Sequence, residues 1–261
     1  MAAKPHAATK RRRGALRGRF LAAYLVLGLI GGAAIAGAFI LFTETERPTT
    51  GDWAAWHPVG DEATWSRQIA DHVARRYRTG NGDQMAGVVT GEPEVQGPDS
   101  AVKIAALLLQ APNATSTDDA TPLLTDHTAM YQFCGLDSTC TVVGKGSEER
   151  RRLLRREALE LALYSFKYLD SDSVVALLPP PKGSTESPNA VFFERADLGD
   201  ELHRPLVDTI GQPDRPTLVE VPELETVRVD RLTLPFTFDY QFAGLPNQTA
   251  ALILSPAKSA G

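Results

Sequence analysis

The sequence predicts an α+β fold with one N-terminal transmembrane helix, followed by an extracytoplasmic domain of two main helices and about six strands. Three observations support this prediction. Residues Phe20–Phe42 form a run of 23 positions without a charged side chain. Two later stretches, 62–79 and Ser147–Leu169, repeat apolar residues at the period of a helix. Short runs rich in β-forming residues lie between turn residues, which favours a mixed or antiparallel sheet ending in a C-terminal hairpin.

The apolar run Phe20–Phe42 has the length of a transmembrane helix. As a helix it would measure about 34 Å, slightly more than the hydrocarbon core of a bilayer. Residues 1–19 carry seven basic side chains and no acid, so the positive-inside rule places this tail in the cytoplasm and residues 43–261 outside the cell membrane. The alternative is a signal peptide cleaved near Ala34–Ala36, but the apolar run continues past that point and exceeds a usual signal core.

The charge of the chain is divided between these two sides. The net charge is −5, yet residues 1–42 carry +7, and the remaining 20 Lys and Arg face all 32 Asp and Glu, giving −12. This distribution disfavours a soluble cytoplasmic enzyme, a nucleic-acid-binding protein and a disordered chain. The predicted partners are the lipid bilayer and, as an open alternative, another membrane or envelope protein or a second copy of this chain.

Small residues recur along the predicted span at a spacing of four: Gly28, Gly32 and Ala36. Such a row lets two helices approach closely, which predicts packing against a second copy or another helix. The competing interpretation is that Gly and Ala are simply frequent in membrane helices.

Residues 43–61 are predicted to be a juxtamembrane linker, because Thr, Pro and Gly occur there without a sustained period. The linker contains Trp53 and Trp56. Both follow the span by ten or more residues, so we expect them to pack onto the domain formed by 62–261 and not to rest at the lipid interface.

The first helix of that domain is predicted over 62–79. Asp61 can cap its start, and Gly80-Asn81-Gly82 is a strong stop signal. His72 lies beside the apolar stripe, where a histidine is more often a packed side chain than a ligand or a catalytic group. The stripe consists of Trp65, Ile69, Val73 and Tyr77.

The second helix, Ser147–Leu169, starts with a good N-cap residue followed by two acids. Four arginines share one side of its first half: Arg151, Arg152, Arg155 and Arg156. They suggest a patch for an anion or a partner protein. The competing interpretation is a solvated face with ion pairs Glu148–Arg152 and Arg156–Glu160 at i,i+4 spacing. The second half is apolar nearly all round, which predicts a helix that begins at the surface and ends in the core.

The remaining elements follow from shorter patterns. A surface loop is expected over 110–128, a weak helix over Asp197–Ile210 interrupted by Pro205, and extended coil over Gln212–Glu223. The last strand pair forms a hairpin whose aromatic face contains Phe236, Phe238, Tyr240 and Phe242. The six predicted strands are Met85–Thr90, Ala101–Leu109, Val174–Leu178, Ala190–Glu194, Phe236–Phe242 and Thr249–Leu254.

The spacing of these elements suggests an internal αββ duplication. Glu62 precedes Val88 by 26 residues, and Glu148 precedes Val174 by the same number. Residue identity between the halves is slight, so a true duplication and a coincidence of spacing both remain open.

The two cysteines, Cys134 and Cys140, lie six positions apart with turn residues between them. In an oxidising compartment this spacing predicts a small disulfide loop. Zinc binding with His127 is the weaker alternative, since a fourth ligand is missing. The sequence contains no GxSxG, HExxH or CxxC motif, so no catalytic residue, metal or cofactor is predicted.

Three runs carry a resemblance to a group of uncharacterised actinobacterial single-pass membrane proteins. The similarity extends across the outer domain and includes the Phe133-Cys134-Gly135 turn. It implies a bacterial cell-envelope setting and no activity. The runs are Arg155–Leu169 (RREALELALYSFKYL), Val174–Pro180 (VVALLPP) and Ala190–Leu198 (AVFFERADL).

The function expected from these observations is that of a membrane-anchored cell-envelope protein with an extracytoplasmic interaction domain. A membrane-anchored, hydrolase-like enzyme with an unrecognised active site is the alternative. A ligand-sensing domain is a third interpretation, although the cytoplasmic tail is too short to contain a folded output domain.

Overall fold

The computed structural model describes residues 53–90, 94–96, 101–111, 120–123, 127–134, 146–178, 180, 187–211, 216, 221–245 and 248–257. All of them belong to one compact unit, Gly51–Gly261. The basic tail, the predicted span with Gly28, Gly32 and Ala36, most of the Gln212–Glu223 coil, and Cys140 lie outside these residues. Within the described part of the chain, no helix is both long enough and apolar enough to cross a bilayer.

The described residues form one mixed sheet of nine strands, in the order β1-β5-β6-β7-β8-β9-β3-β2, with β4 also paired to β3. The pairs β5–β6 and β3–β9 are parallel and the other pairs are antiparallel. The predicted α+β class is therefore confirmed. The strands are β1 (Gly87–Thr90), β2 (Glu94–Gln96), β3 (Ala101–Gln110), β4 (Ala120–Leu123), β5 (Thr128–Cys134), β6 (Ser173–Leu178), β7 (Asn189–Glu194), β8 (Thr237–Gly244) and β9 (Ala250–Pro256).

The main helices pack against one face of the sheet. The longest, α2, lies in the crossover between the parallel strands β5 and β6, a connection that parallel pairing requires. It also packs against α1 and α5. The helices are α1 (Trp65–Ala74), α2 (Glu148–Tyr168), α3 (Gly199–Leu202), α4 (Leu206–Ile210) and α5 (Glu223–Thr233), with 3-10 turns at Glu62–Thr64, Arg195–Leu198 and Leu234–Phe236.

Side chains from both faces of the sheet are buried. In β6, Val174, Ala176 and Leu178 join the core beneath the helices, while Val175 and Leu177 join a second cluster. Because successive side chains of a strand point to opposite faces, the two clusters lie on opposite sides of the sheet. Three of the four residues of the predicted aromatic face lie in β8 and pack against the second cluster: Phe238, Tyr240 and Phe242. Phe236 lies in the 3-10 turn before β8 and packs against the core beneath the helices.

All six predicted strands are present within one or two residues of their expected ends, and β8 and β9 form the predicted antiparallel hairpin. Three further strands were not predicted. β2 is only three residues long, and β4 contains Pro122, which a strand at the edge of a sheet tolerates. β4 lies within 110–128 and β5 begins at Thr128, so the expectation of a continuous loop over 110–128 is wrong.

Helix α1 ends at Ala74, five residues before the predicted end. The expected cap is present, since the Asp61 side chain accepts a hydrogen bond from the Ala63 backbone. The early end has a tertiary cause. The Tyr77 carbonyl accepts a hydrogen bond from Met85, and Arg78 forms an antiparallel bridge with Gln84.

The ends of α2 are both satisfied by side chains. The Ser147 hydroxyl accepts a hydrogen bond from the Arg150 backbone, as the sequence predicts. At the other end, the Arg195 guanidinium donates to the carbonyls of Phe166, Leu169 and Ser171. The last carbonyls of a helix, such as that of Phe166, have no partner within it, so a cation placed there stabilises the helix end.

The suggested αββ duplication is not matched by the strand pairing. β6 and β7 pair with each other, whereas β1 pairs with β5 and β3 pairs with β9. The two halves therefore place their strands differently in the sheet, and the equal spacing of 26 residues does not reflect an equal arrangement.

Candidate functional site

The chain segment before α1 lies across α1 and α2. Gln68 of α1 holds it by two hydrogen bonds to the backbone of Val59, at 3.0 and 2.8 Å. The backbone of Leu206, at the start of α4, donates to the Trp53 carbonyl at 2.8 Å. These contacts bring α4 next to residues that are about 150 positions earlier in the chain.

Aromatic rings line this junction. Trp56 stacks on His72 with ring centroids 4.0 Å apart and an angle of 4° between the ring planes. Tyr164 of α2 contacts both rings edge-on, at 5.4 and 5.6 Å, and Trp53 contacts Tyr164 edge-on at 5.3 Å. Edge-to-face and offset contacts of this kind stabilise aromatic clusters beyond the burial of their area. The expectation that Trp53 and Trp56 pack onto the domain is confirmed.

Two adjoining pockets share Trp56, His72 and Arg76 in their walls, and we call them together the aromatic groove. The polar pocket has a volume of about 460 Å³ and is completed by Gln68, Asp71 and Arg75. The apolar pocket has a volume of about 350 Å³ and is completed by Trp53, Ala54, Ala55, Tyr164, Pro205, Leu206, Val207, Ile210 and Gly211.

His72 is uncharged in the groove at neutral pH. Burial, together with the positive charges of Arg76 and Arg75, lowers the pKa of His72 to about 4. Its ring makes no hydrogen bond to another described residue. His72 is therefore a packed side chain, as the sequence suggests, and it presents a neutral, planar surface beside Trp56.

A buried polar network centred on Arg156 lies behind the groove. Arg156 is 0% exposed. Its Nε donates to Glu225 Oε1 at 2.5 Å, its Nη1 to the Tyr77 hydroxyl at 2.6 Å, and its Nη2 to the Ile210 carbonyl. One guanidinium thus joins α2 to α5, to the residues after α1 and to the end of α4.

The network reaches the groove through Glu160 and Arg76. The Tyr77 hydroxyl donates to Glu160 Oε2 at 2.7 Å, and Arg76 Nη1 donates to Glu160 Oε1. Glu160 is fully buried while Arg76 is partly exposed in the groove wall. A buried carboxylate paired in this way fixes the position of Arg76.

Gly211 connects the apolar pocket to the same network. It follows α4 with φ +64° and ψ −171°, a conformation open essentially to glycine alone. A Cβ atom at this position would overlap Oε2 of Glu225. Glycine is therefore required here both for the backbone and for the space that the Glu225 carboxylate occupies.

The four arginines of α2 do not form a common exposed patch. Arg155 is 5% exposed and bonds to Glu148 and Asp230 at 3.0 and 2.8 Å. Arg152 pairs with Asp230 at 2.8 Å, and Arg151 pairs with Glu148 at 3.0 Å. The expected Glu148–Arg152 pair is replaced by these contacts, whereas Arg156–Glu160 is present at 3.6 Å.

The reason for this difference is helix α5, which the sequence did not predict. It packs on the arginine side of α2 and supplies Asp230 and Glu225 as partners. The interpretation of a solvated face is therefore wrong. Burial in α2 begins at Arg150, in its first turn, and not in its second half.

Glu157 is the network's unpaired acid. It is 0% exposed, and neither carboxylate oxygen has a hydrogen-bond partner among the described residues. Burial, and then the charge of Glu160, raises the pKa of Glu157 well above 4.5, although Arg156 opposes this. The carboxyl is therefore protonated in the folded chain under conditions in which an unfolded chain ionises it.

The free energy of unfolding of the unaltered chain should fall as pH rises, and replacing Glu157 with glutamine should remove this fall. Between pH 4.5 and the raised pKa of Glu157, folding takes up one proton. The free energy of unfolding should then fall by up to about 1.4 kcal/mol per pH unit as pH rises through that interval, because the unfolded state binds fewer protons. Glu157→Gln should flatten this slope.

The measurement is urea unfolding of the full chain, followed by tryptophan fluorescence between pH 5 and 8. Glu149→Gln is the matched control, since Glu149 lies on the same helix and is exposed. The explanation fails if Glu157→Gln and the unaltered chain lose stability with the same slope.

The other predicted site residues lie apart from the groove. His127 is exposed, 3.4 Å from the Asp170 carbonyl, and His203 contacts the Gly199 carbonyl at 2.6 Å. Among the described residues, no group of three His, Cys, Asp or Glu side chains could hold a metal ion. Cys134 ends β5, and its predicted partner Cys140 is not among the described residues, so their disulfide stays a prediction.

Comparison of the chain with protein-family models, with curated proteins and with solved structures finds no match. The resemblance to actinobacterial membrane proteins therefore stays an expectation from the sequence. The site must be interpreted from its own geometry.

Proposed function

We propose that the chain is a single-pass cell-membrane protein whose extracytoplasmic domain binds a ligand in the aromatic groove. The groove is the observation that carries this proposal. Its two pockets, of about 460 and 350 Å³, have the size of ligand sites in other proteins. The location rests on the uncharged run Phe20–Phe42 and the basic tail before it.

The walls of the groove are held in place before any ligand arrives. Trp53, Trp56, His72 and Tyr164 contact one another, and the Arg156 network holds the end of α4 and Arg76. A site that is already ordered loses less conformational entropy on binding. The apolar pocket has rigid aromatic and aliphatic walls with few polar groups, which is typical of ligand recognition.

Binding is supported better than hydrolysis by the groove's side chains. Nucleophilic catalysis needs a nucleophile, a base within hydrogen-bond reach and a third group that orients the base. The described residues that line the groove include no Ser, Thr or Cys. His72 has a lowered pKa and no orienting partner, so it is a weak base. The hydrolase alternative has no comparable observation in its favour.

Two further proposals complete this assignment. We infer that Cys134 and Cys140 form a disulfide in the oxidising space outside the membrane. Gly28, Gly32 and Ala36 provide a surface on which the transmembrane helix packs against a second copy or another membrane protein.

Cysteine labelling tests the location and the occupancy of the groove together. Ala55→Cys places a thiol on the exposed rim of the apolar pocket. In intact cells, a membrane-impermeant maleimide should label this thiol. The labelling rate should be lower in cells than in the extensively washed, purified full chain, because purification removes the bound ligand.

Val59→Cys is the matched control, since Val59 lies in the same segment, is exposed and lines neither pocket. It should label equally fast in cells and after purification. Labelling of both thiols only after the membrane is permeabilised would overturn the location. If the ratio of the labelling rate in cells to the rate in the purified chain is the same for the two variants, the groove holds no ligand in the cell.

A further inference from the structure

The two ends of the aromatic groove differ in chemistry. The apolar pocket carries aliphatic side chains from α4 and from the segment before α1. One of them, Val207 at its rim, is 41% exposed. The polar pocket carries the charged side chains of Asp71, in α1, and of Arg75 and Arg76, which directly follow α1. Trp56 and His72 belong to both pockets. A ligand that occupies both pockets must therefore be apolar at one end and charged at the other.

The charges at the polar end favour an anion. Arg75 and Arg76 oppose a single acid in the wall, Asp71, and the pair Arg75–Asp71 is long, at 3.8 Å. Glu160 pairs with Arg76 and offsets part of its charge, but Glu160 is fully buried, so the groove surface itself presents the guanidinium group and not the carboxylate. Burial is the largest cause of the lowered pKa of His72, and the positive charges of Arg76 and Arg75 add to it, which agrees with the position of both arginines in the wall of the polar pocket.

We propose that the ligand of the aromatic groove is an anionic amphiphile, with its phosphate or carboxylate head beside Arg75 and Arg76 and its apolar chain against α4. This inference rests on the proposed function and names the chemical class of its ligand. Guanidinium groups recognise phosphate and carboxylate oxygens by charge and by directed hydrogen bonds. The apolar chain gains free energy by covering exposed surface such as that of Val207.

A ligand with a cationic head fits less well. It would approach two guanidinium groups, and Asp71 is the only acid among the described residues that line the groove. A neutral amphiphile would bury the same apolar surface but would leave the guanidinium groups without the interaction that a phosphate provides. The order of affinity for one alkyl chain is therefore anionic, then neutral, then cationic.

Photolabelling of the full chain in phosphatidylcholine bilayers tests this order. The probe is octyl phosphate with a diazirine in its alkyl chain, and adducts are located by mass spectrometry. We expect adducts within 53–56 and 205–211. Unlabelled octyl phosphate should suppress them at a concentration at least about fivefold lower than octyltrimethylammonium. Octyl glucoside should lie between the two, and inorganic phosphate alone should not compete in the same range.

Two exposed residues, Asp71 in α1 and Arg75 directly after it, give opposite expectations. The Arg75 side chain is 69% exposed and should be replaceable without unfolding the domain. Arg75→Gln should weaken competition by octyl phosphate about two- to fivefold, the effect of one exposed ionic contact. Asp71→Asn should strengthen it by a similar factor. Arg67→Gln removes the same charge from α1 at an exposed position outside both pockets, and it should leave competition unchanged.

The outcomes separate this inference from the proposed function. Equal competition by the cationic and anionic octyl compounds would overturn the anionic head. Absence of adducts from the two segments, combined with slow labelling of Ala55→Cys in cells, would overturn the amphiphile but leave the groove as a binding site. If the adducts are absent and Ala55→Cys is also not labelled more slowly in cells, the proposed function itself is overturned.

Discussion

Replacing Arg156 with methionine is expected to lower the free energy of unfolding by about 3–5 kcal/mol, as removal of one partner from a buried ion pair does. Arg156 donates hydrogen bonds to Glu225, Tyr77 and the Ile210 carbonyl from a position that is 0% exposed. Methionine fills much of the volume but leaves the buried carboxylate of Glu225 without its cation. The contacts of α2 with α4 and with α5 weaken together, because the Arg156 side chain bonds to both helices.

Urea unfolding of the full chain, monitored by tryptophan fluorescence, measures this loss. Arg151→Met is the matched control on the same helix, because the Arg151 side chain is 40% exposed and pairs with Glu148 at the surface. Its effect should stay below about 1 kcal/mol. In the double variant Arg156→Met/Glu225→Met, part of the loss should be recovered, since no buried charge is then left unpaired. Equal losses for Arg151→Met and Arg156→Met would contradict the central position of the network.

Gly211→Ala is expected to cost about 2–4 kcal/mol, from backbone strain and from the displaced carboxylate together. The alanine Cβ would overlap Oε2 of Glu225, and the backbone conformation at φ +64° is unfavourable for any residue with a Cβ. Glu225 must then move away from Arg156, or the end of α4 must move away from the groove. The substitution should therefore also expose the apolar pocket.

Gly199→Ala provides the contrast. Gly199 has helical backbone angles, and a Cβ there would meet no atom within 4 Å. Gly199→Ala should leave the free energy of unfolding unchanged or raise it slightly, because alanine restricts the unfolded chain more than glycine does. The two variants are compared in the same urea unfolding experiment. A similar stability for both would show that the Gly211 conformation is not required.

Much of the fold could be predicted because its patterns are local. The strands β6 to β9 show alternating or continuous apolar runs bounded by turn residues, and α2 begins at a capping serine. Helix α5 shows no such pattern. Its buried stripe is Glu225, Val229 and Thr233, and two of these three side chains are polar. A stripe with a buried acid can be identified as part of the core only when the partner of that acid, here Arg156, is known.

The arginines of α2 were misplaced for the same reason. Charged side chains at i,i+4 spacing normally indicate a solvated helix face. Here the acids that compensate them, Glu225 and Asp230, are about 70 residues further along the chain. The burial of Arg155 and Arg156 depends on pairing between distant elements, which a local period does not contain.

The candidate site could be predicted only in fragments. The sequence indicated that Trp53 and Trp56 pack on the domain and that His72 lies beside an apolar stripe. The groove itself needs α4, which approaches Trp53 through the Leu206–Trp53 hydrogen bond. No motif marks α4 as part of a site, because its contribution is shape and apolar surface, not a reactive group.

The position of β9 between β8 and β3 has a consequence for folding. Its parallel partner β3 precedes it by well over a hundred residues, so this pairing closes a long loop and contributes to a high contact order, which slows folding. Until β9 is inserted, β3 and β8 each present an open edge of unpaired backbone groups. The intermediate that lacks β9 is therefore the species in which this chain is most exposed to aggregation.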